Sequence, residues 1–227
     1  MATVLFGLLT SCNTLEKAAI HGLNSGYYKL KSENKASENV YLDVRSDQIN
    51  VYHADKRQLD KKQFFTIPLN KIDSVTLIPM VLKKQSLDID ITSILLKYRL
   101  SVYDLPAQLT SDLNFALYAG WRHDYYQLMR KIDPLGRSLY NINNRGFDFG
   151  FFVGPGTALI SPFNTRNKRT DEYSGMVIQS GIAGFLETDT ASFGLAIGLD
   201  YLLNPDRKIW IYHRKPWVGF TIGIAIN

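Results

Sequence analysis

The residues able to do chemistry are few. The chain holds four histidines and one cysteine in 227 residues. His123 stands in Arg122-His123-Asp124, where an imidazole beside a carboxylate supplies an acid–base pair. His123 and Asp124 are therefore the candidate catalytic residues, and no nucleophile is identified to go with them. A Ser-His-Asp hydrolase presents its serine on a Gly-x-Ser-x-Gly turn, and Gln179-Ser180-Gly181 is only half of one. An Arg-His-Asp cluster closing a strand at an interface accounts for the same residues. Histidines do not recur at i, i+2 or i+4, so no metal site is expected. Gly154-Pro155-Gly156 lacks the Lys-Ser/Thr of a phosphate loop and reads as a strand bend. No cofactor is expected. Arg207, Lys208, Arg214 and Lys215 form a basic loop, either solvated or set to meet lipid phosphates or an acidic partner.

Composition narrows the class. The net charge is +5, from 26 Lys and Arg against 21 Asp and Glu, without a long basic run. Nucleic acid is therefore not an expected partner. A single cysteine rules out an intrachain disulfide. Thirteen Tyr and 12 Phe beside 16 Gly suit β-structure crowded on one face.

Two textures follow one another along the chain. Residues 27–75 read as a small soluble β module: Tyr41–Val44 and Gln48–Tyr52 flank a short loop, Phe64–Leu69 follows, and charged residues surround them. From 76 to 227 glycine rises and six segments read as strands: 87–100, 113–122, 146–160, 175–187, 191–203 and 208–226. Phe193, Leu195, Ile197 and Leu199 share one face of the fifth, with Gly194, Ala196, Gly198 and Asp200 on the other. In the sixth, Val218, Phe220, Ile222 and Ile224 oppose Trp217, Gly219, Thr221 and Gly223. A soluble sheet puts Lys, Glu and Thr on its wet face. Here the second face is Gly, Ala, Ser and Thr, which suits a crowded barrel interior. The bulky residues then point outward, into lipid; a sheet buried on both faces is the alternative. Trp121, Tyr125, Tyr126, Trp210, Tyr212 and Trp217 fall near strand ends, where an interfacial girdle is expected. Six strands fall short of the usual minimum of about eight. Segments 100–110 and 137–146 are candidates for two more, or the sheet is small or completed by a partner. The stretch 127–145 is either a docking element or contains a hidden strand.

At the N-terminus, Ala2–Leu9 is apolar but about half the ~20 residues that span a bilayer. It runs into Leu9-Thr10-Ser11-Cys12, which resembles a bacterial lipobox. The resemblance implies a signal peptide over 1–11 and a lipidated Cys12 beginning a linker over 12–26. No Lys or Arg precedes the apolar run, which departs from the usual pattern.

Residues Tyr118–Tyr126, Gly194–Leu202 and Lys215–Phe220 resemble the strands of small Bacteroidetes-type outer-membrane β-barrel lipoproteins. The resemblance covers about 87–227 and departs from the pattern in ending on Ile226-Asn227 rather than an aromatic. The expected fold is all-β: a small antiparallel transmembrane β-barrel of 6–8 strands preceded by a small periplasmic β module. The resemblance implies the outer membrane of a Gram-negative bacterium, with the loops 161–174 and 203–215 outside. The expected function is a non-enzymatic structural or accessory subunit of an envelope complex, with outer-membrane lipid and envelope proteins as partners. The alternatives are a lipid-modifying enzyme at the barrel rim and a soluble periplasmic β-protein that binds an apolar ligand.

Overall fold

The computed structural model describes residues 23–32, 36–55, 58–69, 79–132, 134, 136, 138–187 and 192–224. Cys12 lies outside them. The described residues form eleven strands and two 3-10 turns, with no α-helix among them. The strands are β1 (Gly26–Ser32), β2 (Glu38–Val44), β3 (Gln48–Asp55), β4 (Gln58–Pro68), β5 (Met80–Arg99), β6 (Gln108–Thr110), β7 (Phe115–Ile132), β8 (Ser138–Ile160), β9 (Tyr173–Glu187), β10 (Ser192–Leu202) and β11 (Pro216–Ile224).

Every ladder is antiparallel, and one sheet runs β11-β10-β9-β8-β7-β5-β1-β2-β3-β4. Strand β11 also pairs with β5, so β5, β7, β8, β9, β10 and β11 form a ring of six. The twenty-residue strand β5 makes this possible, because its two ends serve different neighbours. Its start pairs with β1 over Met80–Lys83, and its end pairs with β11 over Ile91–Arg99. Its other edge pairs with β7 from Met80 to Ser93 and then with the short β6. The sheet therefore forks over Lys84–Asp90. A bulge in the β5–β11 ladder puts Leu95 and Leu96 both outward; bulges bend strands and raise local twist, which helps closure.

The core is a column in three parts. At one end β1–β4 pack Leu30, Val40, Leu42, Ile49, Val51 and Ile67 against Leu82 of β5, Tyr126 and Leu128 of β7 and Ile142 of β8. Division of the chain near residue 75 thus separates strands but not this core. Ile94, Ala116, Tyr118, Phe152, Phe185 and Trp217 fill the middle of the ring. Ile160, Val177, Leu202, Trp210, Ile211 and Tyr212 fill the far end.

Several expectations need correction. The segment expected to be one strand over 208–226 is a turn followed by β11 from Pro216. Asn204 caps a 3-10 turn at Pro205–Lys208, its side chain accepting from the Asp206 amide at 3.0 Å, and Trp210–Tyr212 fold in beneath it. Tyr126, Trp210, Tyr212 and Trp217 are buried, so they form no girdle; of the six aromatics placed there, Trp121 is exposed and Tyr125 half-exposed. Of the two readings of 127–145 the hidden strand is the one found, its described residues continuing β7 and β8 as a hairpin beyond the ring. Strand β1, unanticipated, is what joins the module to β5.

Width sets the residue choice inside. A Cβ on Gly198 would stand 2.5 Å from the Trp217 ring and 2.9 Å from Phe152. A Cβ on Gly184, which shares the outer face with Ile182 and Leu186, would meet nothing closer than 3.6 Å. Gly198→Val should therefore lower stability by about 1–3 kcal/mol through overpacking, while Gly184→Ala stays near parental. Urea unfolding of the refolded protein measures both; equal midpoints for the two variants would contradict a filled interior.

Candidate functional site

Alternation in the ring strands sorts residues by charge. Take the outward positions from Leu87 to Tyr98 on β5, Phe115 to Trp121 on β7 and Phe147 to Leu159 on β8. Add Ser174 to Leu186 on β9, Phe193 to Tyr201 on β10 and Pro216 to Ile222 on β11. None carries Asp, Glu, Lys or Arg. Most are large and apolar, with Leu195 66% exposed, Phe151 61% and Leu117 60%. All the charged residues of these spans, namely Asp88, Asp90, Lys97, Asp148 and Asp200, point inward, as do Arg99 just beyond them on β5 and Arg122 and Asp124 on β7. Of the residues expected to face lipid, Phe193, Leu195, Ile197, Leu199, Val218 and Phe220 are exposed and Ile222 is half-exposed. The Ile224 side chain lies outside the described residues.

Two polar layers interrupt the column. Arg122 donates from Nε to Asp124 at 3.0 Å and stands 3.7 Å from Asp88. In the same layer the Tyr118 hydroxyl donates to Asp148 at 2.8 Å. Nearer the far end, Asp200 is fully buried and takes three donors. Lys97 Nζ lies 3.0 and 3.2 Å from its two oxygens, Trp217 Nε1 donates at 3.0 Å, and Arg99 Nη2 donates at 2.5 Å. Lys97 also lies over the Trp217 ring, and Arg99 over Trp210 and Tyr212. Charges this deep persist only when paired and hydrogen-bonded. The cluster ties β5, β10 and β11 together where the ring closes. Sequence reasoning missed it, although Lys97-Tyr98-Arg99 and a lone Asp200 on a small-residue face were its signal.

His123 and Asp124 do not work as a pair. Adjacent residues of a strand point to opposite faces. His123 stacks outside on Phe147, with ring centroids 4.8 Å apart, whereas Asp124 is buried on Arg122. Among the described residues no group of His, Cys, Asp or Glu is placed to hold a metal ion.

The basic loop at the far end is ordered by aromatic rings. Arg207 donates to the Tyr201 hydroxyl at 3.0 Å, and Arg214 stands over the same ring. Arg207, Lys208, Arg214 and Lys215 are all exposed. Between them, burial and then Arg214 and Arg207 pull the His213 imidazole below its ordinary value. A neutral ring is what its bond requires, because Nδ1 accepts from the Leu202 amide at 3.3 Å.

A recess of about 490 Å³ opens where the sheet forks, lined by Tyr27, Lys29, Lys83, Lys84, Gln85, His123 and Tyr125 among others. At its wall Tyr28 is buried and donates to the Asn24 carbonyl at 2.7 Å. Burial, with a smaller contribution from Asp124, pushes this phenol up to about 12.

Comparison with protein-family models, with curated proteins and with solved structures finds no match to this chain.

Removing one partner of a buried ion cluster leaves uncompensated charge and costs about 3–5 kcal/mol. Asp200→Ala should lose stability on that scale, and Lys97→Met added to it should recover part by removing one stranded cation. A urea series on the three proteins measures this; an Asp200→Ala protein as stable as the parent would contradict the assigned role.

Proposed function

We propose that the ring is a transmembrane β-barrel and that the protein is a non-enzymatic lipoprotein of a Gram-negative outer membrane, serving as a structural or accessory subunit of an envelope complex. The observation that carries this is the sorting of charge. Over the belt spans given above, the outward positions of the six strands lack charged side chains and the inward positions hold all of those present. Water rewards the opposite arrangement, and lipid rewards this one. Closure also suits lipid, since a ring pairs the amides and carbonyls of its strands with one another; over Lys84–Asp90, at the fork, that edge of β5 belongs to neither the β1 nor the β11 ladder.

Dimensions agree. Between Phe147 and Leu159 strand β8 rises about 40 Å. At the ~40° tilt of membrane strands this is about 30 Å of depth, against a band of ~25 Å. Tyr118, Phe152, Phe185 and Trp217 occupy the middle of the ring together with its ion cluster, which disfavours an aqueous pore. An enzyme at the rim is disfavoured by His123 and Asp124 facing opposite ways. A soluble protein with an apolar ligand would put its apolar surface inside. The module of β1–β4 is the part of the chain offered to envelope partners, and acylated Cys12 is its tether. Several acyl chains, at about 0.8 kcal/mol per buried CH₂, hold such a tether firmly.

Two tests follow. Arg at Leu195 or Ile197 should cost about 2–4 kcal/mol if these sit near the bilayer midplane. The parent should fold only in detergent or lipid and migrate differently before and after boiling. A chain that folds in plain buffer, with the Arg variants as heat-resistant as the parent, would make it a soluble protein. Separately, labelled fatty acid should enter cells' full-length protein and be lost in Cys12→Ala; label retained by the variant would remove the anchor from this reading.

A further inference from the structure

At the module side of the apolar belt the outer face changes character within two residue steps. Leu87, Trp121 and Phe149 stand in one cross-strand row over β5, β7 and β8. The next row outward is Gln85, His123 and Phe147. The row after that runs over four strands as Lys29, Lys83, Tyr125 and Arg145, with Asn39 of β2 at its end. Lys29, Lys83 and Arg145 are exposed on this face, Tyr125 is half-exposed, and the row holds no acid.

This arrangement is costly for a surface that meets only water. Lys29 and Lys83 are directly opposite in an antiparallel ladder. Like charges so placed destabilise the pairing. The Lys83 ammonium lies over the Tyr125 ring at 5.1 Å, which holds it in the row. Lys84, from the inner face, reaches the same recess through the fork, over Tyr28 at 5.7 Å. Among the described residues the one carboxylate lining the recess, Asp124, is committed to Arg122. Three ammonium groups thus converge on a space of about 490 Å³ beside the half-exposed Tyr125 and His123. An anion placed between Lys29 and Lys83 turns their repulsion into attraction. The polar-aromatic row and the apolar belt that follow are what an amphiphile presents beyond its charge. A free anion would use neither.

We propose that the Lys29–Lys83–Tyr125–Arg145 row and the recess beside it hold the phosphate of a lipid headgroup whose acyl chains lie on the apolar belt. The site rests on the bilayer-spanning reading of the ring. It fixes the depth of the barrel at its module end and places β1, the strand that joins module to ring, at the membrane surface.

Trp121 reads the site, because it is 59% exposed two residues from His123 while Trp210 and Trp217 are enclosed. The full-length protein is reconstituted in vesicles of phosphatidylcholine with a minor fraction of phosphatidylglycerol, bromine being carried on the chains of one lipid or the other. A Trp121→Phe protein gives the background. Brominated phosphatidylglycerol should quench Trp121 about fivefold more effectively per mole than brominated phosphatidylcholine. A triple Lys29→Gln, Lys83→Gln, Arg145→Gln protein should lose that preference and keep its quenching by phosphatidylcholine. Equal quenching by both lipids in the parent, or a preference surviving in the triple variant, overturns the site while leaving the barrel intact. Loss of the preference on adding inorganic phosphate, but not chloride of matched ionic strength, assigns the row to free phosphate and overturns the lipid. Absence of quenching by either lipid overturns the membrane reading itself.

Discussion

The structure depends on closing a narrow ring with one long strand. Strand β5 must accept β1 at its start and β11 at its end, and β11 reaches it only after the chain has laid down five other ring strands. The closing seam is where the strongest interior interactions sit. Asp200 of β10 gathers Lys97 of β5 and Trp217 of β11, and Thr92 and Thr221 bond across the same seam at 2.5 Å. Two of the cations would be prohibitive alone at this depth. Their shared carboxylate, the indole donor and the aromatic rings over which they lie make the cluster tolerable. It also makes the register specific, since a slip of one residue would turn Lys97 and Arg99 outward.

The same narrowness explains the glycines. Only six strands surround the axis, and Trp217, Phe152 and Tyr118 already fill it, so the strand beside Trp217 has room for hydrogen alone at Gly198. Small inner residues and large outer ones are therefore one constraint seen from two sides. Polar groups buried inside must satisfy one another, and large apolar groups are left to find a solvent outside.

That constraint was legible along the chain where the strands are regular. The faces of β10 and β11 follow from period two, and the six alternating segments correspond to the six ring strands, although the expected count ran from six to eight. The failures have a local cause each. Trp210 and Tyr212 alternate as in a strand, but Asn204 and Pro205 set a turn ahead of them and the rings fold inward as a plug. The stretch 127–145 reads as a strand or a docking element; its described residues bury Leu128 and Ile142 against the module core. Strand β1 was hidden by its lysines, which belong to its outer face while Tyr28 and Leu30 are buried. The Asp200 cluster joins residues about a hundred positions apart, a distance over which spacing carries no information.

The continuity of the sheet changes what the N-terminal module can be. A domain on a linker moves independently of its neighbour, but here β1 is hydrogen-bonded to β5 and the module's core is completed by β7 and β8. Force or a partner acting on β2–β4 is therefore transmitted to the ring through paired backbone rather than through a flexible tether. The fork over Lys84–Asp90 is the one place where the two parts diverge, and the cations there sit at the edge of the apolar belt. If the ring spans a bilayer as proposed, the module is held at a fixed height above it, because the strand that carries the module and the strand that closes the ring are the same.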